Sequence, residues 1–162
     1  MKRLLLFCTC LLFVTFPGFA GEPPHLERGH NQIEIEGLQS IDISPVFDLP
    51  TGNTVDMVCQ EDGAIFHVGL KPVLTLPDII HAAVSEDQEM ATLLLDLTED
   101  GGNRRREFTL VNVGKRLAFI VNGVLIKTPI IRVPITGGIL AIDPVDKVFA
   151  EKLVELINNR IK

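Results

Sequence analysis

Apolar and polar residues alternate with a period of two in the first third of the chain. Ile33 and Ile35 flank Glu34, and Ile41 and Ile43 flank Asp42, so each stretch predicts a strand. Pro45, Pro50 and Gly52-Asn53 predict turns, and residues 54–59 and 64–68 predict two further short strands. Thr75-Leu76-Pro77-Asp78 reads as a helix start, with a capping threonine, a proline in the first turn and an acid near the positive end. That helix is expected to run to about Val84. Residues 90–97 form an apolar run that predicts a buried strand, closed by a turn through Gly101-Gly102. Residues 103–113 predict a second helix, with Gly114 suited to the left-handed position after it.

Asn122-Gly123 between two apolar runs is the strongest local signal. Such a turn needs positive φ at both central residues, which asparagine and glycine tolerate, so residues 117–121 and 124–126 predict a β-hairpin. Leu117, Phe119 and Val121 share one face and Ala118 and Ile120 the other. Both faces are apolar, so this strand is expected to be covered on both sides. Thr136-Gly137-Gly138 turns the chain into a last strand at 139–142. Asp143-Pro144 then predicts the cap of a helix with Val145, Val148, Phe149, Leu153, Leu156 and Ile157 at helical spacing. The expected fold is α+β: a two-layer sandwich with a mostly antiparallel sheet and about three helices.

The N-terminus changes the picture. Lys2 and Arg3 precede an apolar run at 4–16, and Gly18 and Ala20 supply a small-x-small site. This is the order of a secretory signal, and the run is too short to cross a bilayer. The predicted organisation is a signal peptide at 1–20, a flexible leader at 21–31 and one domain at 32–162, placed in the periplasm. Cys8 and Cys10 leave with the signal; lipidation of either is the weaker reading, since neither follows a full apolar core. Cys59 then has no partner for an intramolecular disulfide and is expected to be a buried small hydrophobe. The net charge of −6 becomes about −8 without Lys2 and Arg3. That acidity argues against nucleic acid and anionic lipid as partners. No later apolar run reaches spanning length, so no membrane span is expected in the mature chain.

Reactive side chains are few. His25 and His30, with Glu22 and Glu27, lack a spacing that fixes four metal ligands. His67, on a predicted strand, and His81, on the first predicted helix, have the chemistry of a general base. No Gly-x-Ser-x-Gly elbow accompanies them. Gly101-Gly102 and Gly137-Gly138 match no phosphate-binding pattern. Arg104-Arg105-Arg106 is expected to be a solvated face. No catalytic, cofactor or metal residue is assigned, no cofactor is implied, and the expectation is a protein that is not an enzyme.

An ordered set of short motifs adds to this. Lys71-Pro72-Val73-Leu74, Asp78-Ile79-Ile80-His81-Ala82, Phe108-Thr109, Asn112-Val113-Gly114-Lys115-Arg116-Leu117-Ala118, Val121-Asn122-Gly123, Thr128-Pro129-Ile130 and Ile135-Thr136-Gly137-Gly138 occur in sequence. Together, over about residues 62–160, they resemble the head subdomain of the first periplasmic domain of SecD/SecDF, the membrane subunit that assists protein export. The loop at Ile142-Asp143-Pro144 is shorter than the family's. The family's later membrane spans, which couple the proton gradient to transport, have no counterpart. The resemblance implies non-covalent binding of a protein or unfolded polypeptide, with Sec translocon components among the expected partners. The hairpin, Ile130, Ile131 and Val133 are the first region to test, either as an apolar groove or through strand addition at a sheet edge. The rival reading is a small hydrolase or ligand-binding protein using His67 or His81.

Overall fold

In the computed structural model the described residues are 35–87 and 90–160. The expected signal, the expected leader and its histidines lie outside them, as does Ile33. Ile35 and Glu36 are not in a strand. The first strand, β1, is Ile41–Phe47, and Pro45 lies within it rather than in a turn. β2 (Thr54–Val58) and β3 (Ile65–Gly69) form an antiparallel ribbon, and β4 is the two-residue Leu74–Thr75. These join β7 (Leu117–Val121) and β8 (Val124–Lys127) in a six-stranded sheet of order β2-β3-β1-β7-β8, with β4 also on β1. A separate three-stranded sheet has the order β5-β6-β9: Ile79–Asp87, Met90–Leu97 and Ile139–Asp146. All these pairings are antiparallel.

The two helices are α1 (Glu99–Val111) and α2 (Lys147–Arg160). The helix expected at 75–84 is absent: Leu76–Asp78 is one 3₁₀ turn, and β5 follows it. Capping chemistry was read correctly there, but Ile79 and Ala82 are buried against β6 and the pattern continues as a strand. α1 begins earlier than expected because Thr98, not a residue near 103, is the cap: its Oγ1 accepts from Gly101 N–H at 3.1 Å. Gly101-Gly102 are therefore helical rather than a turn. Gly101 sits where a Cβ would come within 3.0 Å of the Asp78 Cβ. The α2 cap is Asp146, whose carboxylate accepts from Phe149 N–H at 2.9 Å; Asp143-Pro144 belong to β9.

Two cores share β7. Leu117, Phe119 and Val121 join Ile41, Ile43, the inner faces of β5, β6 and β9, and Phe149, Ala150, Leu153 and Ile157 of α2. Ala118 and Ile120 join Cys59, Val68 and Leu125, with Val46, Met57 and Phe66 closing this smaller cluster. The end of β2 folds back onto β8, where Gln60 N–H donates to the Leu125 carbonyl at 2.9 Å. β7 is thus buried on both faces, as its sequence predicts. The hairpin turn has Asn122 at φ 50 and Gly123 at φ 80, the left-handed region an Asn-Gly pair fits.

Candidate functional site

α1 carries its buried side along Gly101, Arg105 and Thr109, a stripe with a four-residue step. The connection from β8 to β9 lies along this helix. Ile131 exchanges backbone hydrogen bonds with Gly114 and Lys115 at 2.8 Å, and Ile135 N–H donates to Thr109 Oγ1 at 3.0 Å. Arg105 donates to the Gly137 carbonyl. Arg105 is 1% exposed, so the expectation of a solvated Arg104-Arg105-Arg106 face fails at its centre. Its Nε and Nη1 have no hydrogen-bond partner, and burial pushes the guanidinium below its usual range. Arg104 is placed differently: it donates to the Asp78 carboxylate and, through Nε, to the Val73 carbonyl at 3.3 Å.

This arrangement leaves apolar residues outside. Leu110, Val111 and Val113 at the end of α1 are exposed, Val111 at 81%. Ile130 and Val133 on the adjoining connection are exposed as well, while Ile131 between them is buried. An open cleft of about 280 Å³ adjoins Val113, lined also by Val46, Asp48, Gly114, Lys115 and Arg116. Lys115 Nζ donates to Asp48 at 2.6 Å, and this hydrogen bond and charge hold the Asp48 carboxyl below its ordinary value. Arg116 donates to the Thr128 carbonyl at 2.7 Å and lies 5.7 Å from the Phe66 ring centre. The patch therefore has a hydrogen-bonded floor and a polar rim.

Of the region singled out from sequence, Ile130 and Val133 contribute to this surface. Ile131 does not, and the hairpin turn is occupied. Asn122 Oδ1 accepts from Gln39 and Ser40 N–H at 2.7 and 3.1 Å, and its Nδ2 donates to the Gly37 carbonyl at 2.6 Å. Leu110, Val111 and Val113 were missed. The available signal was that the apolar residues of α1 crowd into its last turn, with no apolar partner one turn earlier.

His67 and His81 are kept apart. His67 Nδ1 meets Asp56 at 2.6 Å across β2 and β3, and His81 Nδ1 meets Asp96 at 3.1 Å across β5 and β6. His81 is thus on a strand, not a helix, and it sits in the other sheet. Cys59 is buried with its thiol pushed up by burial, and its Sγ lies 3.5 Å from the Ile126 carbonyl. A second cleft, about 490 Å³, lies among Gln39–Asp42, Thr75–Pro77, Ile79, Ile80, Ile157 and Arg160; neither histidine lines it. Among the described residues no three acidic, cysteine or histidine side chains converge as metal ligands, and no helix is long and apolar enough to cross a membrane.

Comparison with known proteins gives a consistent set of relatives. The family model described as SecDF, P1 head subdomain, matches residues 53–158. The chain is 33% identical over 87 residues to the protein translocase subunit SecDF of Thermus thermophilus, covering 53% of this chain and 12% of that protein. It is 34% identical over 67 residues to SecD of Acidaminococcus fermentans, covering 41% of this chain and 16% of that one. A crystal structure of SecDF in a super-membrane-facing form superposes with a TM-score of 0.60 at 27% identity, over 74% of this chain and 18% of that one. A structure described as a membrane component SecDF that enhances protein export superposes at 0.59 and 25% identity, over 75% and 63%. The chain spans less than a fifth of the length of the two curated relatives.

Proposed function

Because this chain belongs to the SecDF P1 head subdomain family, we propose that it binds polypeptide non-covalently outside the cytoplasm, in a role linked to protein export. In this reading residues 1–20 direct export, residues 21–31 are a leader, and the domain beyond them works in the periplasm. The observation that carries it is the exposed cluster of Leu110, Val111, Val113, Ile130 and Val133 on a hydrogen-bonded floor. Single exposed apolar residues are ordinary, but a group of them on neighbouring segments marks an interaction surface. Apolar side chains of an unfolded chain suit it, because hydrophobic contact is non-directional and tolerates many sequences. A hydrolytic reading has less support, since neither His67 nor His81 bonds a serine or the cysteine among the described contacts.

The test uses protein purified from the envelope of its host, with an intact mass expected to begin at Gly21. Binding of a reduced, alkylated and therefore unfolded polypeptide is measured by fluorescence anisotropy. Val111→Ser with Val133→Ser should weaken binding on the order of tenfold, as the loss of two buried apolar contacts implies. Its thermal midpoint should match that of the parent protein. Unchanged binding in this variant would remove the surface from the reading.

A further inference from the structure

The three-stranded sheet has two free edges, and they are treated differently. At β5, Asn158 of α2 donates to the Ala82 carbonyl at 2.8 Å and accepts from the Ala82 N–H at 2.9 Å, occupying that edge at Ala82. At β9 nothing comparable is present among the described residues. Leu97 N–H donates to the Gly138 carbonyl, which makes 138, 140 and 142 the residues bonded to β6. Alternation in an antiparallel ladder then turns the N–H and C=O groups of Ile139 and Ala141 away from the sheet, as far as the register shift between Ile142 and Val145. The edge ends at Pro144, which has no N–H and whose carbonyl accepts from Lys127 Nζ at 2.6 Å. The edge strands of the larger sheet, β2 and β8, are less available: Asp56 sits in the middle of β2, and the chain beyond β2 is bonded to β8 where Gln60 N–H donates to the Leu125 carbonyl.

We propose that β9 is a strand-addition site, reading the backbone of an extended, apolar and basic polypeptide segment through Ile139 and Ala141. The inference rests on the polypeptide-binding reading and adds a second means of holding the same ligand. Unpaired edge groups recognise backbone irrespective of sequence. The outer face beside the edge carries Ala83, Leu94 and Ala141 in one row, and Ala141 at the edge leaves room for the side chains of an added strand. Asp143 places a carboxylate nearby, as does Asp96, which lies opposite Ile139 and also contacts His81; both favour lysine or arginine in the ligand. A second copy of the chain fits less well, since each carries a net charge of −6. β9 follows directly on the connection that carries Val133.

The experiment measures binding of a fluorescent peptide, Lys-Val-Thr-Val-Thr-Val-Lys, to the full chain. The same peptide N-methylated at three consecutive central residues should bind at least tenfold more weakly, because its amides can no longer donate to β9. Ala141→Pro should reduce binding of the unmodified peptide similarly; at an outward-facing edge position it removes only an unbonded N–H. Equal binding of the two peptides would overturn the edge site while leaving capture at the apolar patch intact. Loss of peptide binding in Val111→Ser with Val133→Ser, but not in Ala141→Pro, would also overturn it. A chain that binds neither peptide nor unfolded polypeptide fails both readings. Slow hydrogen exchange at Ala141 without peptide, or a dimer that Ala141→Pro dissociates, would assign the edge to the chain itself and overturn the proposal.

Discussion

The two helices use their inner faces in opposite ways. α2 buries Phe149, Ala150, Leu153 and Ile157, an apolar stripe at helical spacing set into the main core. α1 buries Gly101, Arg105 and Thr109, while Leu110 and Val111 face out. A helix placed for stability presents apolar side chains to the interior, where each contributes roughly 1.5–3 kcal/mol. α1 forgoes most of that contribution. It is held instead by polar ties: the Thr98 cap, the Arg104–Asp78 ion pair, Arg105 on the Gly137 carbonyl and Thr109 on Ile135 N–H. The difference separates scaffold from display: α2 secures the small sheet, and α1 holds a connection and an apolar surface in place.

The sharpest way to break this comparison is a matched pair of truncations. Leu153→Ala, at a site with no exposure, should cost about 3 kcal/mol in denaturant unfolding. Val111→Ala should change stability by no more than about 0.5 kcal/mol. Comparable losses would mean that α1 is core after all. The next effect comes from Asp78. Burial acts to raise its carboxyl, but hydrogen bonds from Arg104 and Thr75 and the charge of Arg104 outweigh this and hold it below its usual range. Its folded pKa lies below the unfolded one, so its contribution is present above pH ~4 and fades as pH falls through the folded value. Asp78→Asn should cost about 1.5–3 kcal/mol at neutral pH, with the difference from the parent shrinking in acid. A pH-independent difference would mean the ion pair is not what ties α1 to the bend before β5. A smaller effect than that at Asp78, of opposite sign, is expected at Arg105. With two unpaired buried nitrogens, Arg105→Met should raise stability by about 1 kcal/mol. A loss of several kcal/mol instead would show that the buried cation is satisfied, and that the α1 inner stripe is as stabilising as that of α2.

Much of the fold was legible because it rests on local rules. The β7–β8 hairpin followed from Asn122-Gly123, the buried β6 from its apolar run, and most of the α2 stripe from its spacing. The errors came from the same rules meeting a competing one. Thr75 to Asp78 carries real capping chemistry, yet the residues after it pair with β6, and cross-strand packing overrode the helix start. Gly101-Gly102 looked like a turn because Thr98, three residues before Gly101, was read as part of a loop and not as a cap. Pro45 is tolerated in β1 although that strand is flanked on both sides. The candidate site was half legible: Ile130 and Val133 were singled out, whereas Leu110, Val111 and Val113 were not.

The sequence by itself determined the elements whose causes are local: turn φ values, capping side chains, and the two- and three-to-four-residue apolar periods. It also carried the family resemblance, because the matching motifs sit at turns and junctions where few residue types fit. Only the tertiary structure decided which apolar residues are covered. β7 is buried twice because β2 and β3 fold back over one face while the small sheet and α2 cover the other. Val111 is exposed for the converse reason: α1 lays its polar stripe inward beneath the β8–β9 connection. Burial is a property of what lies opposite a side chain in space, and those partners are far away along the chain, where local periodicity carries no information about them.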